Sequence, residues 1–68
     1  MTHEQMVDKF YAQYIEWGYD LFDAVREFRM VEGSPDDHFA GGEDEKEAHL
    51  FALWRLENEL RDAHEARA

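Results

Sequence analysis

At 68 residues, with no cysteine and a formal net charge of −10, the chain has room for one domain and can hold neither a disulfide framework nor a thiolate metal site. Seventeen acids against seven Lys and Arg repel nucleic-acid backbones and anionic lipid surfaces, so direct nucleic-acid or membrane binding is not expected and a basic partner is favoured. Apolar residues make up 44% of the chain and aromatics 15%, more than a disordered segment carries at this charge, so the chain is expected to fold.

Thr2 and Gln5 have the spacing of a capping box, which predicts a helix start. From there His3, Val7, Phe10, Tyr14, Trp17, Leu21, Ala24, Phe28 and Val31 recur at steps of four and three, the spacing of one long helical seam. Beside it runs a second stripe, Tyr11, Ile15, Gly18, Phe22 and Val25, which makes the apolar face too wide for a single partner helix to cover. Gly18 is the local misfit. Inside a helix it costs about 1 kcal/mol relative to alanine, and its place on the apolar face suggests close helix approach, with a kink as the alternative.

Gly33 follows the last periodic residue and is expected as a left-handed cap. Ser34, Pro35, Asp36 and Asp37 then read as an N-cap, a first-turn proline and two carboxylates at the positive end of a helix dipole, predicting a short helical turn to about Ala40. Gly41 and Gly42 interrupt it. Asp44 with Glu47 offers the next cap, and the second long helix is expected from about Asp44 to Glu65. Its seam is His49, Leu53, Leu56, Leu60 and Ala63. A second stripe starts with Leu50 and Trp54 and turns polar at Glu57 and Arg61, so surplus apolar surface, including Phe51, gathers near the start of this helix. In an antiparallel arrangement that start lies beside Phe22, Val25 and Phe28.

Catalytic chemistry finds little to use. The one Thr and the one Ser are explained as caps, and an activated nucleophile would need a base and an orienting group nearby. Gly41-Gly42 is followed by acids where a phosphate-binding loop needs Lys and a hydroxyl. No His has a Glu three positions before it, as helical di-iron sites require. Glu45 and His49 could share a helical face, which reads first as a surface charge interaction. Phe39 occupies a position where a calcium loop needs oxygen. Glu16 with Asp20, and Asp23 with Glu27, could gather magnesium on a helix but read first as a solvated face. No catalytic residue, metal or cofactor is expected.

Charge is uneven along the chain. Residues 32 to 47 hold seven acids and one Lys, next to the apolar surplus at Phe51 and Trp54. The candidate partner-binding residues are therefore Asp36, Asp37, Glu43, Asp44, Glu45 and Glu47, with Phe51 and Trp54 as apolar anchors. The expected fold is all-α: residues 1–68 form one small helical domain, a hairpin of two long amphipathic helices with a short helical turn in the connection, paired into a dimeric bundle. The expected function is that of a small, acidic, non-enzymatic, cytoplasmic interaction protein that binds and inhibits or regulates a basic protein. A narrower form is mimicry of nucleic acid, in which the chain occupies the basic groove of a nuclease, a repressor or a CRISPR-type effector. The alternatives are an oligomeric metal-dependent helical enzyme and an RNA-binding hairpin dimer, for which the first helix supplies only Lys9, Arg26 and Arg29.

Overall fold

A computed structural model describes residues 1–67. The order is α1 (His3–Glu16), α2 (Leu21–Glu32), a 3-10 turn (Asp36–His38) and α3 (Gly42–Arg67). No strand is present among the described residues, and no helix is long and apolar enough to cross a membrane. The all-α expectation holds, but three helices stand where two were expected.

α1 starts as its sequence predicts. The Gln5 N–H donates to Thr2 Oγ1 at 3.1 Å and the Thr2 N–H to Gln5 Oε1 at 2.9 Å, a reciprocal capping box. The helix then ends at Glu16, and the long seam through Gly18 is corrected. Gly18 has φ +74°, the left-handed conformation that a residue without Cβ adopts at little cost. Its N–H donates to the Ile15 carbonyl at 3.0 Å, and the Tyr19 N–H to the Tyr14 carbonyl at 3.2 Å. This pair of bonds is the Schellman closure, completed by its usual apolar contact: the rings of Tyr14 and Tyr19 lie 5.0 Å apart. Nothing lies within 4 Å of where a Gly18 Cβ would be, so the glycine serves backbone conformation and not close helix approach.

Asp20 begins α2 at once. Its Oδ1 accepts from the Asp23 N–H at 2.8 Å, and Asp23 Oδ2 accepts from the Asp20 N–H at 3.2 Å. Two expectations for the connection after α2 are also corrected. Gly33 is right-handed, with φ −82°, and Ser34 does not cap the next turn: its Oγ donates back to the Met30 carbonyl at 2.7 Å. Pro35 occupies the N-cap position of the 3-10 turn instead. α3 begins at Gly42, with φ +67°, two residues before the expected Asp44 start. Glu45 reaches back to accept the Gly41 N–H at 2.8 Å, a role the sequence reading gave to Asp44 and Glu47.

α3 is the spine against which both other helices pack, while the backbones of α1 and α2 do not approach each other closely. α2 runs opposite to α3: its first residues lie beside Leu60, Ala63 and His64, and Phe28, near its end, beside Glu47 and Leu50. α1 lies across α3, since adjacent Phe10 and Tyr11 reach His49 and Glu59, far apart on that helix. The core is Phe10, Tyr14, Ala24, Val31, Ala48, Ala52, Leu53 and Leu56. Ala48 and Ala52 stand one turn apart on α3 and are fully buried, as is Ala24 on α2; small side chains there let the helix backbones approach. Leu53 and Leu56 fill the remaining volume, each side chain gaining roughly 1.5–3 kcal/mol by leaving water. Breaking the first helix lets its halves cover separate parts of the α3 surface, so one chain buries much of the wide apolar face that suggested a dimer.

Candidate functional site

The spacing of α3 puts Glu43, Glu47, Phe51 and Trp54 on one face, opposite Ala52 and Leu56. The structure leaves that face open: Phe51 is 52% and Trp54 56% exposed. Phe51, Trp54, Leu50 and Glu47 from α3, with Phe28 from α2, line an open trough of about 510 Å³ whose surface is mainly apolar. The expected anchors and two of the expected acids, Glu43 and Glu47, are thus brought together, with Asp44 exposed beside them in the first turn. Phe28 stands at this trough as the antiparallel arrangement requires. Phe22 does not, and lies at the far end beside Leu60 and His64.

Of the other candidate acids, Asp36 and Glu45 are used locally. Asp36 sits 3.5 Å from Lys46 Nζ, which also donates to the Ser34 carbonyl at 2.8 Å, tying the connection to α3. Asp37 is exposed in the 3-10 turn beside it. Glu45 is half-buried and committed to the start of α3. The acidic segment is therefore divided between an outer face on α3 and a set of groups that hold the loop.

A second trough, not foreseen from the sequence, lies on the other side of Phe51 and Trp54. The start of α1 forms its wall through His3, Val7 and Asp8, and the His3 ring meets Phe51 edge-on at 5.4 Å. Its polar floor is a network in which Arg55 lies 4.3 Å over the Tyr11 ring. The guanidinium also donates to Asp8 and to Glu59, each at 3.3 Å. The Tyr11 hydroxyl donates to Glu59 as well. That hydrogen bond raises the Tyr11 pKa, with burial adding to it. Arg55 is held in its charged form chiefly by the same carboxylate. A helical Arg four residues before a Glu is a visible signal for one pair, but nothing in the spacing announces Asp8 or Tyr11.

One part-buried polar pair remains. Tyr14 is buried and its hydroxyl lies 2.7 Å from His49 Nδ1. Phe10 stacks on the imidazole with centroids 3.7 Å apart, and Phe39 leans on it at 5.6 Å. Burial lowers the His49 pKa against the opposing charge of Glu45. Burial also raises that of Tyr14, helped by the charges of Glu27 and Tyr19. The pair is therefore neutral, joined by one hydrogen bond between the Tyr14 hydroxyl and His49 Nδ1. The expected interaction of Glu45 with His49 persists as a charge effect on a half-buried imidazole, which also joins α1 and the connection to α3.

Of the two carboxylate pairs weighed for magnesium, the fold separates Glu16 from Asp20, while Asp23 and Glu27 share α2 and Asp23 is spent on the cap and on Arg26, 2.6 Å away. Among the described residues no three His, Asp or Glu side chains converge on one ion position. Comparison with known proteins gives no match, neither to a protein-family model, nor to a curated protein, nor to a solved structure.

Proposed function

We propose that this chain acts by binding: a small acidic interaction protein whose outer α3 face docks on a basic protein and inhibits or regulates it. The narrower class is a nucleic-acid-binding protein, whose basic groove the carboxylates would occupy. The observation that carries the reading is that Phe51 and Trp54 stand exposed on the face that also bears Glu43 and Glu47, with Phe28 beside them. Interfaces concentrate their energy in such aromatic anchors, and surrounding charge sets the rate and selectivity of encounter. Self-association is part of the same proposal, through apolar side chains away from this face: Trp17 is 62% and Phe22 82% exposed. Light scattering of the parent and of Phe22→Ser reads it as a loss of mass.

The test begins with affinity recovery of a partner from a host extract at low salt, then kinetics with the purified pair. Replacing Glu43, Asp44 and Glu47 by their amides is expected to slow association and flatten its salt dependence without loss of helicity. Trp54→Ala is expected to speed dissociation at least about tenfold, the signature of an anchor worth about 1.4 kcal/mol or more. Association of the amide variant as fast as the parent at low salt would refute the electrostatic part. Unchanged dissociation of Trp54→Ala would refute the aromatic part.

A further inference from the structure

We propose that the trough between α2 and α3 takes a single helix of the partner, amphipathic, with aliphatic anchors on one face and Lys or Arg along its edges. This rests on the reading above and specifies which part of a basic protein is recognised. On α3, Glu47, Leu50, Phe51 and Trp54 follow the spacing i, i+3, i+4, i+7, which on a helix makes one packing ridge. The opposite side repeats that spacing at His49, Ala52, Leu53 and Leu56, and there it is filled by the chain's own helices. α3 therefore carries two helix-packing seams, one covered and one open, with Phe28 of α2 as the second wall of the open one. The open seam runs for about 10 Å along the axis, two helical turns, the length over which one amphipathic helix sets its anchors. Strand addition has nothing to add to, since there is no strand among the described residues. Recognition then runs through side chains in a groove, the mode used for amphipathic helices.

Charge selects the occupant. Glu47 stands at the edge of the trough and Glu43 one turn before it on the same face, with Asp44 beside them. The two bases of α3 nearest the trough are already engaged, Lys46 with Asp36 and the Ser34 carbonyl, Arg55 with Asp8 and Glu59. A second copy of this chain, also at −10, would bring its own Glu43 and Glu47 to the seam, so like charges disfavour it where a basic helix is attracted.

The experiment uses the full chain carrying Trp17→Phe, which leaves Trp54 as the only indole. The probes are a Leu/Lys peptide about five helical turns long with its leucines on one face, and a scrambled peptide of the same composition with no apolar face. Near 0.15 M salt, where screening acts over about 8 Å, the amphipathic peptide is expected to bind, gain helicity and shift Trp54 emission to the blue. The scrambled peptide is expected to bind at least about tenfold more weakly. Phe28→Ala and the exposed-site variant Phe51→Ser should each weaken the amphipathic peptide, and the second keeps the test valid if the first disturbs the fold. Equal binding of both peptides would overturn the helix proposal and leave a surface that recognises charge alone. Failure of both peptides to bind even at low salt would overturn the basic-partner reading with it. Undiminished binding by both variants would remove the trough as the seat.

Discussion

Tyr14→Phe deletes one oxygen from the core and breaks the bond that holds α1 to His49. A net hydrogen bond contributes about 0.5–1.5 kcal/mol, and a buried polar group left without its partner costs about 1–3 kcal/mol. The two describe the same event from opposite sides and are not added. Because His49 is half-buried, water can partly replace the lost partner, which places the expected loss at about 2 kcal/mol. For a chain of 68 residues with about 0.05–0.15 kcal/mol of stability per residue, that is a large share of the total, and it lowers Tm by about 8–16 °C. Urea unfolding followed by far-UV circular dichroism at pH 7.5 measures it. The same pair fixes a pH dependence. The unfolded imidazole takes up a proton near about pH 6.5, whereas burial holds the folded one lower. Between these values the unfolded state binds more protons, so the His49 contribution is present above about pH 6.5 and is lost as pH falls through the folded value. His49→Gln should flatten this part of the profile. A Tyr14→Phe chain within about 0.5 kcal/mol of the parent would refute the role given to the bond. So would pH profiles of the parent and His49→Gln that coincide between pH 7.5 and 5.

Gly18→Ala forces a Cβ into a left-handed position and should cost about 1–2 kcal/mol; Gly18→Asn should cost less, and equal stability of the alanine variant would show that the turn can relax. Leu53→Ala removes a fully buried side chain between the helices and should cost about 2–5 kcal/mol, enough to leave much of the chain unfolded at 37 °C by circular dichroism.

The caps and seams of this fold were legible where the local chemistry had one reading. Thr2 with Gln5 announced α1, and Leu53 and Leu56 stood on the expected core stripe. The break at Gly18 was hidden because Trp17, Leu21 and Ala24 continue the spacing of Phe10 and Tyr14, so periodicity alone runs through the turn. The available signal was local: a glycine, an apolar residue after it, and Asp20 with Asp23 at capping distance, an Asp at the third position standing where Glu or Gln is the usual partner. Phe51 and Trp54 were legible because α3 has more apolar stripes than one neighbour can bury. Which of the neighbouring carboxylates are spent on the connection was not. Spacing does not say that Glu45 turns back to the Gly41 N–H or that Lys46 claims Asp36, because those choices depend on a loop conformation set by Gly42 and Pro35.

The backbone of α1 lies against α3 and not against α2, and this gives the molecule an order of assembly. The α2–α3 pair closes over the short segment between Glu32 and Gly42, whereas α1 can dock only when residues some 35–48 positions apart in sequence meet, as in Tyr14 with His49 and Tyr11 with Glu59. Longer closure costs more chain entropy before any contact repays it. The expected hierarchy is that α1 detaches first and returns last, while α2 and α3 remain paired. Native-state amide exchange reads it directly: protection around Phe10 to Tyr14 should fall to a lower opening free energy than protection around Ala52 to Leu56, and equal values would mean that the three helices open as one unit.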